Sequence, residues 1–288
     1  MSRELKRLLW RGAGATLVTA TTLIVATALG LTKSPAQQQT ADRSVRAVGR
    51  VAAALPDVRH PVASADPVGA LFTRPHGHLG THFCTASVVS SPGRNLLITA
   101  AHCLSGVSLS PAGSLVFAPG YAGGRFGRGL WEVTGKFVDP RWAADHDPND
   151  DVAFLEVTRS IGGPAGSVQH AAGAERIKFG TPLPVPIKAI GYPDAGDGPV
   201  ACSTHAVAFR PSSLDQVMFV CPGFTDGTSG GPMLTGVRTA AGTGAVIGVI
   251  GGYQQGGDSP SVSYSSAFTA AIRSLYTRAI RASRRSPA

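Results

Sequence analysis

Three short stretches carry residue types that can act together on a carbonyl group. TDGTSGGPM, residues 225–233, sets Ser229 among glycines and ahead of a proline; NLLITAAHCL, residues 95–104, ends an apolar run on His102; DPNDDVAFLEV, residues 147–157, brings Asp150 and Asp151 to the mouth of another apolar run. A serine hydroxyl is a weak nucleophile. It needs a base within hydrogen-bond reach, a carboxylate to orient that base, and N–H donors for the negative charge that develops on the attacked oxygen. Asp151, immediately before the strand, is preferred to Asp150, because a carboxylate there can be buried enough to hold the imidazole Nδ1. Each stretch also has a plainer reading. Gly and Pro build ordinary hairpin turns, a single histidine is most often a surface residue, and the acidic run with Asp145 and Asp147 reads as a solvated turn or a calcium loop.

Order along the chain separates the possibilities. GTSGG satisfies the GxSxG nucleophile elbow of α/β-hydrolases, but that fold places its histidine after the serine, and of the eight histidines the last is His205. A subtilisin-like order requires the aspartate before the histidine on an α/β scaffold. The order His102, Asp151, Ser229 is what remains.

Residues so far apart must be brought together by the fold, and the pattern is that of strands. Runs rich in Val, Ile, Phe and Thr recur from Val68 onward: HFCTASVVS, NLLITA, LWEVTGKFV, DVAFLEV, IKAIGY, QVMFV, GAVIGVIGGY and SVSYSS. Gly, Pro and Ser separate them at intervals typical of sandwiches and barrels. Helical spacing emerges only at the end, in SAFTAAIRSLYTRAIRASRR, where Ala271, Leu275 and Ile280 fall near one face. The Gly/Pro/Ala-rich residues 160–186 divide two β units of similar size. Cys84, Cys103, Cys202 and Cys221 form no CxxC pair, which argues against zinc; they fall into two local couples, each 19 positions apart, and are paired here as Cys84–Cys103 and Cys202–Cys221. Each bridge would constrain the unfolded chain by roughly 3 kcal/mol in the loop-entropy account.

A formal charge of +9 on 288 residues suggests nucleic acid until it is divided. Residues 1–50 hold eight Lys/Arg against two acids and residues 273–288 hold five Arg against none, whereas 51–272 hold 13 basic and 15 acidic residues. The folded body nets −2, so no nucleic-acid partner is expected. The N-terminal charge has its own explanation: Arg3, Lys6, Arg7 and Arg11 precede an uncharged segment from Gly12 to Thr32, the pattern of an export signal. Residues 1–36 are read as a signal peptide or signal anchor, residues 37–66 as a leader or pro-segment and residues 281–288 as a basic tail. The remainder is expected outside the cytoplasm, secreted or anchored at the outer face of the membrane by residues 12–32, with no other membrane contact.

TAAHC around His102, DVAFL after Asp151 and GTSGGP around Ser229 resemble the three active-site blocks of the chymotrypsin-like serine endopeptidases, over about residues 66–280. The export signal is similar to that of their secreted bacterial branch. The resemblance implies an all-β fold of two antiparallel six-stranded barrels, about 67–160 and 187–265, and a closing helix, about 266–283. The active site would lie in the cleft between the barrels, with residues 160–186 as the connection. It implies that Ser229 attacks a peptide carbonyl, that His102 takes and returns the proton, that Asp151 fixes the imidazole tautomer, and that the N–H groups of Gly227 and Ser229 receive the oxyanion. It further implies a polypeptide substrate, no metal and no organic cofactor; a monomer is expected. The sequence departs from relatives at two places. The residue before the nucleophile is Thr228, where animal trypsin-like enzymes have an aspartate that pairs with a new N-terminus; the glutamyl endopeptidases carry a histidine where this chain has Ile250. The pocket position six before the nucleophile is Gly223. With Phe224, Thr225, Ile250, Gly251, Gly252 and Tyr253 as the other substrate-binding residues and Asp226 at the rim, an uncharged, apolar or small substrate side chain is expected. An inactive binding module of the same fold would be expected to have lost a triad member; an esterase with the same triad stays open.

Overall fold

Alternation along the strands explains why so much of the chain reads as uninterrupted apolar runs. In β2 (Val68–Thr73) residues Val68, Ala70 and Phe72 join one hydrophobic cluster and Leu71 another; in β4 (Leu96–Thr99) Leu96 and Ile98 join the first and Leu97 the second. Both faces of these strands are therefore buried, one inside a barrel and one against the rest of the molecule. The computed structural model describes residues 60–61, 66–159, 165–237 and 243–284. The segment read as an export signal, most of the 37–66 leader, part of the 160–186 connection and the end of the basic tail lie outside the described residues.

Strands β2, β3 (His82–Val89), β4, β7 (Ala153–Arg159), β6 (Trp131–Val138) and β5 (Leu115–Pro119) close in that order into an antiparallel barrel. Its interior is filled by Leu71, Val88, Leu97, Phe117, Trp131 and Leu155. The second sheet runs β14 (Val262–Ser266), β11 (Gln216–Val220), β10 (Val200–Phe209), β9 (Val185–Gly191), β12 (Pro232–Thr235), β13 (Ala245–Val249) and β8 (Arg176–Ile177), and β1 (His60–Pro61) pairs with β10. The end strands β13 and β14 meet through a few bonds rather than a ladder: Gly251 N–H donates to Tyr264 C=O at 2.9 Å and Val249 N–H to the Ser265 hydroxyl at 2.9 Å. The fold is the chymotrypsin-like pair of barrels, with the second closed more loosely than six-strand symmetry suggests and carrying β8 and β1 as additions.

Between the barrels and under the closing helix lies a shared cluster that includes Phe72, Ile98, Phe154, Ile190, Leu234 and Val249. The helix, α3 (Ala270–Ser283), enters it through Ile272, Leu275 and Ala279; Ala271 and Ile280, expected on that face, sit half-buried at its margins. Two earlier helices are single turns, α1 (Pro140–Asp145) and α2 (Val168–Ala172). The second lies in the stretch read as a plain connection. Ser167 caps it, and Val168, Ala171 and Ala172 are buried in the first barrel's cluster, so this helix is part of the core. Among the described residues no helix is long and apolar enough to cross a membrane.

Glu175, just after α2, is fully buried. Its backbone joins Val88 and Ser90, one carboxylate oxygen accepts the Gly244 N–H at 2.6 Å, and the other has no partner among the described residues. Burial pushes its pKa up to about 7, with the Gly244 hydrogen bond opposing. The folded state then binds the proton more tightly than the unfolded chain, so stability falls as pH rises from about 4.5 through 7. Glu175→Gln removes the buried charge and is expected to raise stability by about 1–2 kcal/mol at pH 8, after the cost of an unsatisfied buried amide, and to lose that gain towards pH 4. Thermal melts of both proteins at the two pH values check this; an equal difference at both would show that charge burial is not the cause.

Candidate active site

His102 stands where β4 runs out. Ala100 and Ala101 follow the strand, and residues His102–Leu104 make a single 3-10 turn whose Cys103 is bonded to Cys84 in β3. The second disulfide joins Cys202 to Cys221. The two sulfurs beside His102 are bonded to each other and so offer no thiolate to a metal. Asp151 follows another 3-10 turn, Pro148–Asp150, capped by Asp147 through Asn149 N–H. The two adjacent aspartates point to different partners. Asp150 pairs with Arg141 at 2.7 Å, and burial still raises its pKa. Asp151 is fully buried and turns inward: Oδ1 accepts the backbone N–H of His102 at 2.8 Å, while Oδ2 accepts His102 Nδ1–H and the Gly252 N–H, both at 2.7 Å. Three donors around one buried carboxylate fix its position and, through it, the ring. With Nδ1 as donor, Nε2 is left to accept a proton. Of the four carboxylates read as a possible calcium loop, Asp147 thus caps a 3-10 turn, Asp150 pairs with an arginine and Asp151 with an imidazole, while Asp145 is exposed.

Ser229 comes from the second barrel, on the turn before β12, and lines one cleft with His102. The backbone amides of this turn alternate. Thr228 N–H donates to Thr225 C=O at 3.1 Å, Gly230 N–H to Ile250 C=O at 2.7 Å and Gly231 N–H to Thr228 C=O at 2.9 Å; among the described residues Gly227 and Ser229 donate to no backbone oxygen. Buried amides are nearly always paired, so two left over at i and i+2 beside a serine form a ready receptor for a negative oxygen. Gly227 is required twice, by φ of +86° and by a missing Cβ that would lie 2.5 Å from Asp194 N. Gly230 is required because a Cβ there would strike Thr99 and the carbonyl of Thr85 on the first barrel.

Next to Ser229 opens a cavity of about 280 Å³. Of the expected substrate-binding residues, Phe224, Thr225 and Ile250 line it; Gly223, Gly251, Gly252 and Tyr253 do not. Gly223 N–H is taken by Pro260 C=O, Gly251 lies under Asp151, Gly252 holds Asp151, and Tyr253 packs on Phe209 and Tyr264. The rest of the lining comes from Asp226, Thr228 and Ser229, from Gln255–Pro260, a segment for which no role was expected, and from Ser263. The wall is not neutral: Asp226 and Asp258 both line it.

A histidine held by a buried carboxylate on one β-barrel, facing a serine turn on a second, defines the chymotrypsin-like class of fold and site. The chain belongs to the trypsin-like peptidase domain family, which matches residues 84–249. Among solved structures, it is similar to the protease Anisep from Arthrobacter nicotinovorans, 23% identical with a TM-score of 0.64 over 78% of this chain and 100% of that one. It is also similar to the thermostable serine protease AL20 from an extremophilic microorganism, 26% identical, TM-score 0.61, over 75% and 98%. A Glu endopeptidase shares the fold at 20% identity and a TM-score of 0.56 over 77% and 96%. A comparison with curated protein sequences finds no match.

Proposed function

We propose that this trypsin-like peptidase is an exported serine endopeptidase that works through an acyl-enzyme. The observation that carries the reading is the pair of unspent amides, Gly227 and Ser229, beside a serine that shares its cleft with a carboxylate-held imidazole. Ser229 Oγ attacks the scissile carbonyl carbon as His102 Nε2 takes the hydroxyl proton, and the carbonyl oxygen becomes an oxyanion received by the two amides. Collapse breaks the C–N bond, and His102 gives its proton to the leaving amine. Water repeats the sequence on the ester, releasing the acid and restoring Ser229. Export is supported by the two disulfides, which require an oxidising compartment. The test is a fluorophosphonate probe on the secreted protein, read by intact mass. One adduct that blocks peptide hydrolysis is the expected result, and the adduct's mass reports where the mature chain begins. A folded, disulfide-bonded protein that takes no label overturns the reading.

The cavity supports a basic residue before the cut. Phe224 and Ile250, both buried, offer apolar wall to an aliphatic stem, whereas Asp226 and Asp258 offer carboxylates to a cationic end; among the described residues no Lys, Arg or His lines the cavity. Gln254 Nε2 donates to Asp258 Oδ2 at 2.8 Å and orients it. The expectation of an uncharged pocket rested on Gly223–Thr225 and Ile250–Tyr253, of which Phe224, Thr225 and Ile250 line the cavity and the others do not. Hydrogen bonds to charged groups contribute about 1.5–3 kcal/mol, so Asp258→Asn is expected to lower kcat/KM for an Arg or Lys peptide by about 10–100-fold and leave an apolar peptide unchanged. A peptide-library profile dominated by apolar residues or Glu before the cut overturns it.

A further inference from the structure

We propose that the side-chain hydroxyl of Thr85, a residue of the first barrel, is the brace that holds the oxyanion loop of the second barrel in its working shape. The inference rests on the serine-peptidase reading. Thr85 is fully buried in β3, next to the disulfide-bonded Cys84. Its Oγ1 donates to Gly227 C=O at 2.9 Å and accepts the Tyr192 N–H at 2.9 Å. Its own backbone N–H donates to Ser229 C=O at 2.7 Å, and its carbonyl accepts the Thr99 hydroxyl at 2.7 Å. One residue thus grips the carbonyls of both oxyanion-hole residues from the opposite side of the cleft. A peptide unit is planar, so fixing the Gly227 carbonyl restrains how far the Gly227–Thr228 unit can rotate, and with it the turn that aims the two free amides.

Two further contacts hold the loop, one within it and one to the segment after β9. Thr228 Oγ1 donates to Thr225 C=O at 2.6 Å, and Asp194 N–H donates to Asp226 C=O at 2.9 Å. The Asp194 contact continues the path from Tyr192, the second residue bonded to the Thr85 hydroxyl. Every one of these bonds is made by a hydroxyl or a backbone amide. Thr85 lines neither the cleft shared by Ser229 and His102 nor the cavity beside Ser229. It is a positioning residue, and its effect should fall on the transition state, where the oxyanion exists, rather than on ground-state binding.

Thr85→Val keeps the shape and removes the hydroxyl; Thr85→Ser keeps the hydroxyl. Losing one oxyanion donor outright costs about 10²–10³ in rate, and a mis-aimed donor less, so Thr85→Val is expected to lower kcat about 10–100-fold with KM within about threefold. Thr85→Ser is expected to stay within about threefold of the unsubstituted enzyme on both. Thr85→Val at full kcat, or Thr85→Ser falling as far as Thr85→Val, overturns the brace. If Thr85→Val does not fold, Thr85→Ala, which adds no bulk, carries the same expectation. Were the unsubstituted protein to show neither turnover nor fluorophosphonate labelling, the serine-peptidase reading itself would fall. Amide-hydrogen exchange over residues 225–231 then decides the brace alone: faster exchange in the hydroxyl-less variant supports it and unchanged exchange overturns it.

Discussion

Ser229→Ala is expected to lower kcat by about 10⁵–10⁶ and to abolish fluorophosphonate labelling, with the fold and both disulfides intact. The size follows from how the machinery is divided. Without Oγ no acyl-enzyme forms, and neither the imidazole nor its carboxylate has a proton to move. What survives is a cleft that binds substrate and two amides aimed at a carbonyl oxygen, which in such sites leave about 10³–10⁴ over the reaction in water. Combining Ser229→Ala with His102→Ala should therefore cost little more than either alone, because the residues act as one unit. The measurement is single-turnover cleavage of a peptide amide by both single variants and the double. Additive losses would mean that serine and histidine act independently, and the proposed mechanism would fail.

The second large effect is expected from Asp151→Asn, about 10⁴ in kcat with little change in KM. Asp151 accepts three hydrogen bonds, from the ring Nδ1–H and backbone N–H of His102 and from Gly252 N–H. Asparagine can keep only part of this pattern. If its amide nitrogen faces the ring, Nδ1 becomes the acceptor, the proton moves to Nε2, and the atom that should take the serine proton is already occupied. Asparagine also brings no charge to stabilise the imidazolium. Because Asp151 is fully buried and the exchange is isosteric, the fold should survive. Raising the pH should recover part of the rate, since hydroxide can then remove the serine proton that the mis-tautomered imidazole cannot. A flat response between pH 7 and 10 would show that the loss is structural and not one of tautomer.

The chemistry was legible because it sits in contiguous words. A serine needing a glycine turn, a histidine at the end of an apolar strand beside a cysteine, and an aspartate before another strand are each local patterns, and their chain order excludes competing scaffolds. Strand character was equally legible, since residues with both faces buried have few alternatives to Val, Ile, Leu and Phe. The margins were not. Ile272 and Ala279 displaced Ala271 and Ile280 from the centre of the closing helix's buried face, since the direction of that face is set by the barrels beneath it. Glu175 reads as one more polar residue of a loop, yet it is fully buried.

By itself the sequence determined the class of fold and singled out the residues proposed to react, because nucleophile, base, carboxylate and strand periodicity are properties of residue type and local order. Only the tertiary structure decided two matters. It made Gln255–Pro260 part of the cavity wall in place of Gly251–Tyr253, and it set the hydroxyl of Thr85 against the carbonyl of Gly227. Each depends on which atoms from distant segments come within about 3 Å, the range over which a hydrogen bond acts, and no local pattern encodes that.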